Sequence, residues 1–288
     1  MSVLSGTGRA NGWLWVLLAL TVASYHTAAA FMTQTSLAGL LAALVWGGAL
    51  ICLEDQIPDQ PPAPSAVGFS LGVVLLAFGL WRTAQMSDLD AVFYAMPVVL
   101  GLGLALMYVP FRRLGEFRDP LLALCLLMVG LVVFRKVPEE ALSELTAQIT
   151  KVLLLGMTIE SRVQGNVVLL AGGGVKIGTV CNGIDMIAEL VVISGIFLLA
   201  FKMRAWWRKL LMIILAPVLA VIGNSFRIAL LAIVNASDWS SKESVFHFFH
   251  DETGALVFAG LTVGVFGWIY VRVLNPELKQ KRTGSAGG

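Results

Sequence analysis

Charge is scarce in this chain. Asp, Glu, Lys and Arg make up 13% of its 288 residues, about half the share of an ordinary soluble domain. Such a chain cannot cover a globular surface with charge, and no nucleic-acid partner is expected of it. Cysteine is scarcer still. Cys52 and Cys125 lie within or at the end of apolar runs and behave as small hydrophobes. With Cys181 they make three thiols, which do not read as a disulfide framework. Metal-ligating clusters are missing, so neither metal nor cofactor is expected. Gly172-Gly173-Gly174 is not followed by Lys-Ser/Thr and reads as a turn, not a phosphate cradle. There is no internal repeat and no long low-complexity tract, which favours a single membrane domain.

Apolar sequence is abundant instead. The chain is 58% hydrophobic with a mean hydropathy of +0.84, and runs of about 18 or more apolar residues read as membrane helices. Such stretches cover 13–31, 37–53, 65–81, 91–111, 119–135, 182–201, 210–235 and 254–273. The fold class is therefore an all-α polytopic membrane protein of about eight transmembrane helices. Pro58 to Pro64 is the clearest linker. The first stretch, followed by Ala28-Ala29-Ala30, could be a cleaved signal peptide. Its length and the sparse charge before it favour a retained helix.

Lys and Arg in short loops favour the cytoplasm. Lys202, Arg204, Arg208 and Lys209 form the strongest cluster, with Arg112, Arg113 and Arg118 in one earlier loop and Arg272, Lys279, Lys281 and Arg282 at the tail. Two spans separate each cluster from the next, so all three fall inside together, and both termini with them. Arg135 and Lys136 are the dissent, falling outside. The parts are then five N-terminal helices over 1–135, an outer-face segment over 138–180, three helices over 181–274 and a cytoplasmic tail over 275–288.

The outer segment opens on Pro138-Glu139-Glu140, with proline in the first turn and acids at the positive end of a helix. Leu142, Leu145, Ile149, Val152 and Leu153 follow at helical spacing, opposite Ser143, Glu144, Gln148 and Lys151. This pattern predicts an amphipathic helix lying at the interface. The runs 166–170 and 175–180, around the triple glycine, predict a short β-hairpin that delivers the chain to Cys181.

Cys181 stands at the mouth of the sixth span, where the positive end of a helix favours thiolate. Arg227, in Gly223-Asn224-Ser225-Phe226-Arg227-Ile228, lies roughly 12 Å below the outer end of its span at 1.5 Å per residue. A charge at that depth is costly and marks function by default. Asn224 shares its face. Asp185 and Glu189, four and eight residues after Cys181, could pair with the guanidinium. His250, beside Asp251 and just before the last span, can exchange protons near neutral pH, as can His247. These residues leave two other readings open. One is a transporter using Arg227, Asp185 and Glu189 as intramembrane polar groups; the other is a non-catalytic export-pathway subunit. Against a transporter, paired glycine-broken helices are not evident.

Cys181-Asn182-Gly183-Ile184, Asn224-Ser225-Phe226-Arg227-Ile228 and His250-Asp251-Glu252-Thr253-Gly254 resemble the three signature blocks of the exosortase/archaeosortase family. The Gly165-Asn166 turn leading to the first block is also similar. The resemblance covers about residues 160–272, and Asn182 departs from the Ser that many members carry there. It implies a membrane cysteine transpeptidase with Cys181 as nucleophile, His250 as acid/base and Arg227 at the oxyanion or peptide carbonyl. Asn182, Asn224, Asp185, Glu189 and Asp251 would support them. It further implies exported substrates ending in a motif, a membrane helix and a basic tail, of the PEP-CTERM type. The acceptor could be water, a lipid amine or a glycan. The enzyme would be a multi-pass protein of the cell (inner) membrane, in contact with membrane lipid, with its site on the periplasmic or extracellular face.

Overall fold

The computed structural model describes residues 5–32, 36–54, 63–86 and 90–285. The linker at 58–62 lies outside these residues, and so do the side chains of Arg9, Arg135, Lys279, Lys281 and Arg282. The chain is predominantly helical: α1 (Ser5–Met32), α2 (Ser36–Glu54), α3 (Ala66–Ala84), α4 (Ala91–Tyr108), α5 (Arg118–Lys136), α6 (Glu139–Gly156), α7 (Ile184–Ala200), α8 (Trp206–Ala236), α9 (Lys242–His250) and α10 (Glu252–Ser285). A three-stranded sheet lies between α6 and α7.

Each predicted apolar stretch falls on a helix: α1 to α5, α7, α8 and α10. Among the described residues, five are long and apolar enough to cross a membrane, namely Leu14–Met32, α3, α4, α8 and Glu252–Asn275. The apolar part of α2, Ala38–Leu53, is shorter, and α7 has 17 residues. The chain is a multi-pass membrane protein. Helix α10 also runs on to Ser285, through most of the stretch expected to be tail.

The contacts divide the chain into two compact units, residues 1–131 with 195–202, and 132–194 with 203–288. In the first unit, α3 and α4 start on side-chain caps. Ser65 Oγ accepts from Gly68 N at 3.1 Å and Asp90 Oδ1 from Phe93 N at 2.9 Å. Asp90 also pairs with Arg82. Buried His26 stacks on Phe93 at 5.0 Å and accepts from Trp46 Nε1 at 3.4 Å, so this histidine belongs to helix packing.

The second unit holds every candidate residue named above. Here α8 is the central helix, contacted by α6, α9, α10 and the sheet. The expected hairpin is a three-stranded antiparallel sheet, β1 (Arg162–Gln164), β2 (Val167–Leu170) and β3 (Gly173–Lys176), in that order. Gly173 and Gly174 are strand residues, paired with Leu170 and Leu169; the turn is Ala171-Gly172 alone. They can pair because the sheet leans on the end of α8, where Asn235 Nδ2 donates to Gly174 O at 2.7 Å. The run expected to stay extended through 180 ends early. Thr179–Cys181 is a 3-10 turn.

Helix α6 forms where the sequence places it, with Pro138 just outside and Glu139 and Glu140 in its first turn. Its inward face is not the leucine stripe of the interfacial helix. Leu142, Ser143, Thr146, Ala147, Thr150 and Leu154 are buried, whereas Leu145 and Val152 are exposed. Small and hydroxyl-bearing side chains let α6 and α8 approach closely and hydrogen-bond, the usual currency of membrane helix packing.

Candidate functional site

Cys181 closes the 3-10 turn three residues before α7, and its own N–H donates to Gly178 O at 3.0 Å. Asn182 follows, fully buried. Its Oδ1 accepts from Ile184 N at 3.0 Å, which starts α7 in the manner of an Asx turn. Its Nδ2 has no hydrogen-bond partner among the described residues. Gly183 has φ +90°, and a Cβ there would lie 2.8 Å from Asn224 Nδ2. Both facts demand glycine. The first signature block is therefore a turn that presents a cysteine at the start of a helix.

The turn is held from two sides. Asn224 Nδ2, on α8, donates to Cys181 O at 2.9 Å, and Thr146 Oγ1, on α6, donates to Asn182 O at 3.0 Å. The same two helices are joined again by Thr150 Oγ1 to Ser225 O at 3.2 Å and Ser225 Oγ to Thr146 O at 3.4 Å. All these side chains are buried. Sequence reading singled out Asn224 but missed Thr146, Thr150 and Ser225 as functional residues. The available signal was the i, i+4 pair of threonines on one face of the helix.

Arg227 lies three residues beyond Asn224 on α8 and is 5% exposed. Its Nε donates to Phe249 O at 2.7 Å and its Nη2 to His250 O at 2.6 Å. The partners are backbone carbonyls at the end of α9. A pairing with Asp185 or Glu189, which the sequence left open, is not what holds the guanidinium, although its charge acts on Asp185, Asp251 and Cys181. Glu189 is buried on α7 and Asp185 is exposed.

His250 is the last residue of α9. Its imidazole stacks on Phe246, with centroids 5.5 Å apart and planes 18° apart, and its Nδ1 lies 3.4 Å from Asp251 Oδ1. His247 lies one turn earlier, with its Nδ1 4.0 Å from Asp251 Oδ2. Phe246 and Phe249 pack against the buried apolar cluster that includes Cys181, Ala147, Leu154 and Ile228. The three blocks thus meet within one unit. Asn224 links the cysteine turn to α8, and Arg227 links α8 to the histidine corner.

The electrostatics of the thiol differ from the expectation. Burial pushes the Cys181 thiol up from its ordinary range, the Arg227 charge opposes this, and Asp185 adds to the upward push. Cys181 is 7% exposed. Burial thus favours the protonated form of the thiol, and the Arg227 charge offsets part of that preference. No group of three or more His, Cys, Asp or Glu placed to hold a metal occurs among the described residues.

A family model described as a transmembrane exosortase matches residues 35–267. Neither the curated proteins nor the solved structures give a significant match.

Proposed function

The chain belongs to the transmembrane exosortase family, and from that premise we propose that it is a membrane-embedded cysteine transpeptidase acting through Cys181. Family membership supports a membrane transpeptidase role in general. The observation that carries the specific reading is the pair of ties made by α8. Asn224 holds the peptide of Cys181, and one turn on Arg227 holds the peptides of Phe249 and His250. Nucleophile and base are thereby both tied to one helix, α8.

In the proposed reaction His250 takes the proton of the thiol, and the sulfur of Cys181 adds to the scissile carbonyl carbon. The positive charge of Arg227 stabilises the resulting oxyanion. Collapse breaks the C–N bond, and the imidazolium of His250 gives its proton to the leaving amine. A thioester remains. The acceptor, written H–X for water, a lipid amine or a glycan hydroxyl, loses its proton to His250 and attacks the thioester. The C–S bond then breaks, and the imidazolium of His250 returns its proton to the departing sulfur, restoring Cys181 and His250. His250 is favoured over His247 because its carbonyl is bound by Arg227 and its ring rests on Phe246. Asp251 supports the imidazole, Asn182 and Asn224 shape the turn, and Asp185 and Glu189 set the charge around α7.

The substrates would be exported proteins with a C-terminal motif, membrane helix and basic tail, of the PEP-CTERM type. The protein would cross the cell (inner) membrane about eight times, with both termini in the cytoplasm and the site on the exported face. Replacing Cys181 by Ala, and separately by Ser, in cells carrying such a substrate tests the reading. Loss of the processed species is expected from Cys181→Ala. A transporter or a non-catalytic export subunit would tolerate that change, and undiminished processing sinks the proposal.

A further inference from the structure

Helix α9 ends at His250 and α10 begins at Glu252, so Asp251 alone makes the corner. The corner N–H of Asp251 donates to His247 O at 2.8 Å, and Ala255 N donates to Asp251 O at 3.2 Å. The carbonyls of Phe249 and His250, at the end of α9, lie past the last bond of its ladder, as at any helix end. Gly254 sits against that turn. A Cβ on it would come within 2.3 Å of Phe248 O and 2.7 Å of Phe249 Cα, so α10 starts directly on the end of α9. Arg227 reaches into this corner from α8 and bonds the carbonyls of Phe249 and His250.

We propose that Arg227 is the positioning residue for His250, capping the C-terminal turn of α9 so that the imidazole is held in its working orientation. This goes beyond the charge given to Arg227 above, and it rests on the reading of His250 as the acid/base. One planar fork bonding two consecutive carbonyls constrains the two peptide planes on either side of the His250 Cα, and with them the direction of its Cα–Cβ bond. Phe246 and Asp251 then hold the ring. A cation at this place also faces the negative end of the α9 dipole. The choice of arginine follows. Lysine brings an equal charge but a single point of contact, which cannot keep two carbonyls in register. A base displaced by about 1 Å loses on the order of 100-fold in rate.

The test is a double-mutant cycle on the full-length protein in liposomes, with a peptide substrate carrying the membrane-anchored signal. Arg227→Ala is expected to lower kcat roughly 100-fold, with KM within about threefold of the parent. In a His250→Ala background the same change is expected to cost at least about tenfold less than in the parent, because only the charge at the oxyanion is then lost and there is no imidazole left to misplace. Equal losses in the two backgrounds overturn the proposal, and so does a His250→Ala variant with unchanged kcat. Arg227→Lys keeps the charge and should still lose at least about 30-fold; near-complete activity overturns the proposal. That variant also serves if Arg227→Ala loses its helical circular dichroism. Unchanged processing by Cys181→Ala would instead defeat the acyl-enzyme reading, a separate outcome.

Discussion

At the scale of single residues, the site buries a guanidinium and a thiol, and each is made tolerable in a different way. A guanidinium at 5% exposure is stable there because two carbonyls accept from it at 2.7 and 2.6 Å. A buried thiol avoids the charge penalty by staying protonated, and the cation beside it limits how far its ionisation is displaced. Its titration above the ordinary thiol range has a definite sign. The stability linked to this group is complete below the unfolded thiol's pKa and is lost as pH rises through the folded one. Alkylation of Cys181 by iodoacetamide should therefore be slower at pH 8 than that of a free cysteine peptide, and should accelerate with rising pH. Arg227→Gln removes the opposing charge and should slow it further, while Asp185→Asn should speed it. A faster reaction in Arg227→Gln would contradict this account. Cys52 and Cys125 are replaced by Ala beforehand, so that one thiol is followed.

At the scale of elements, α6 is the part whose inward face hydropathy does not mark. Sequence assigns the stripe at 142, 145, 149, 152 and 153 to the interface, and Leu145 and Val152 are exposed, while Thr146 and Thr150 face the core. In water that arrangement would be wrong. Beside lipid, burying leucine earns little, so the interior face goes to residues that hydrogen-bond and pack closely. Helix α6 is thereby a structural wall of the cysteine turn. Thr146→Val keeps the shape but removes the bond to Asn182 O, leaving a buried carbonyl short of a donor, at a cost of about 1–2 kcal/mol. The expected result is a lower thermal midpoint, with faster hydrogen exchange in α6 and at 181–184. Exchange confined to α6 would mean that the threonine does not support the turn.

At the scale of the whole molecule, the proposal depends on which side of the membrane receives the corner between α9 and α10. The positive-inside argument places Lys209 in the cytoplasm and Lys242 outside. In the protein lacking native cysteines, Lys242→Cys should react with an impermeant maleimide in intact cells, and Lys209→Cys after permeabilisation only. The reverse pattern would put the site on the cytoplasmic face and remove exported proteins from consideration.

Membrane character, helix positions and the three blocks could all be read from residue order, because they depend on side-chain type and local spacing. Hydropathy marks an apolar stretch wherever it packs. Gly183 and Asn182 encode their turn locally, through a positive φ and a cap on the next helix. Tertiary structure decided the rest. The strand β1, the pairing of Gly173 and Gly174, the inward threonines of α6 and the partners of Arg227 all involve distant chain segments. Most of them also involve backbone carbonyls or N–H groups, which every residue carries alike. Sequence could therefore nominate Arg227 as a buried charge needing a partner. It could not identify Phe249 O and His250 O as that partner, because a carbonyl is marked out by where the fold leaves it unbonded and not by the side chain attached to it.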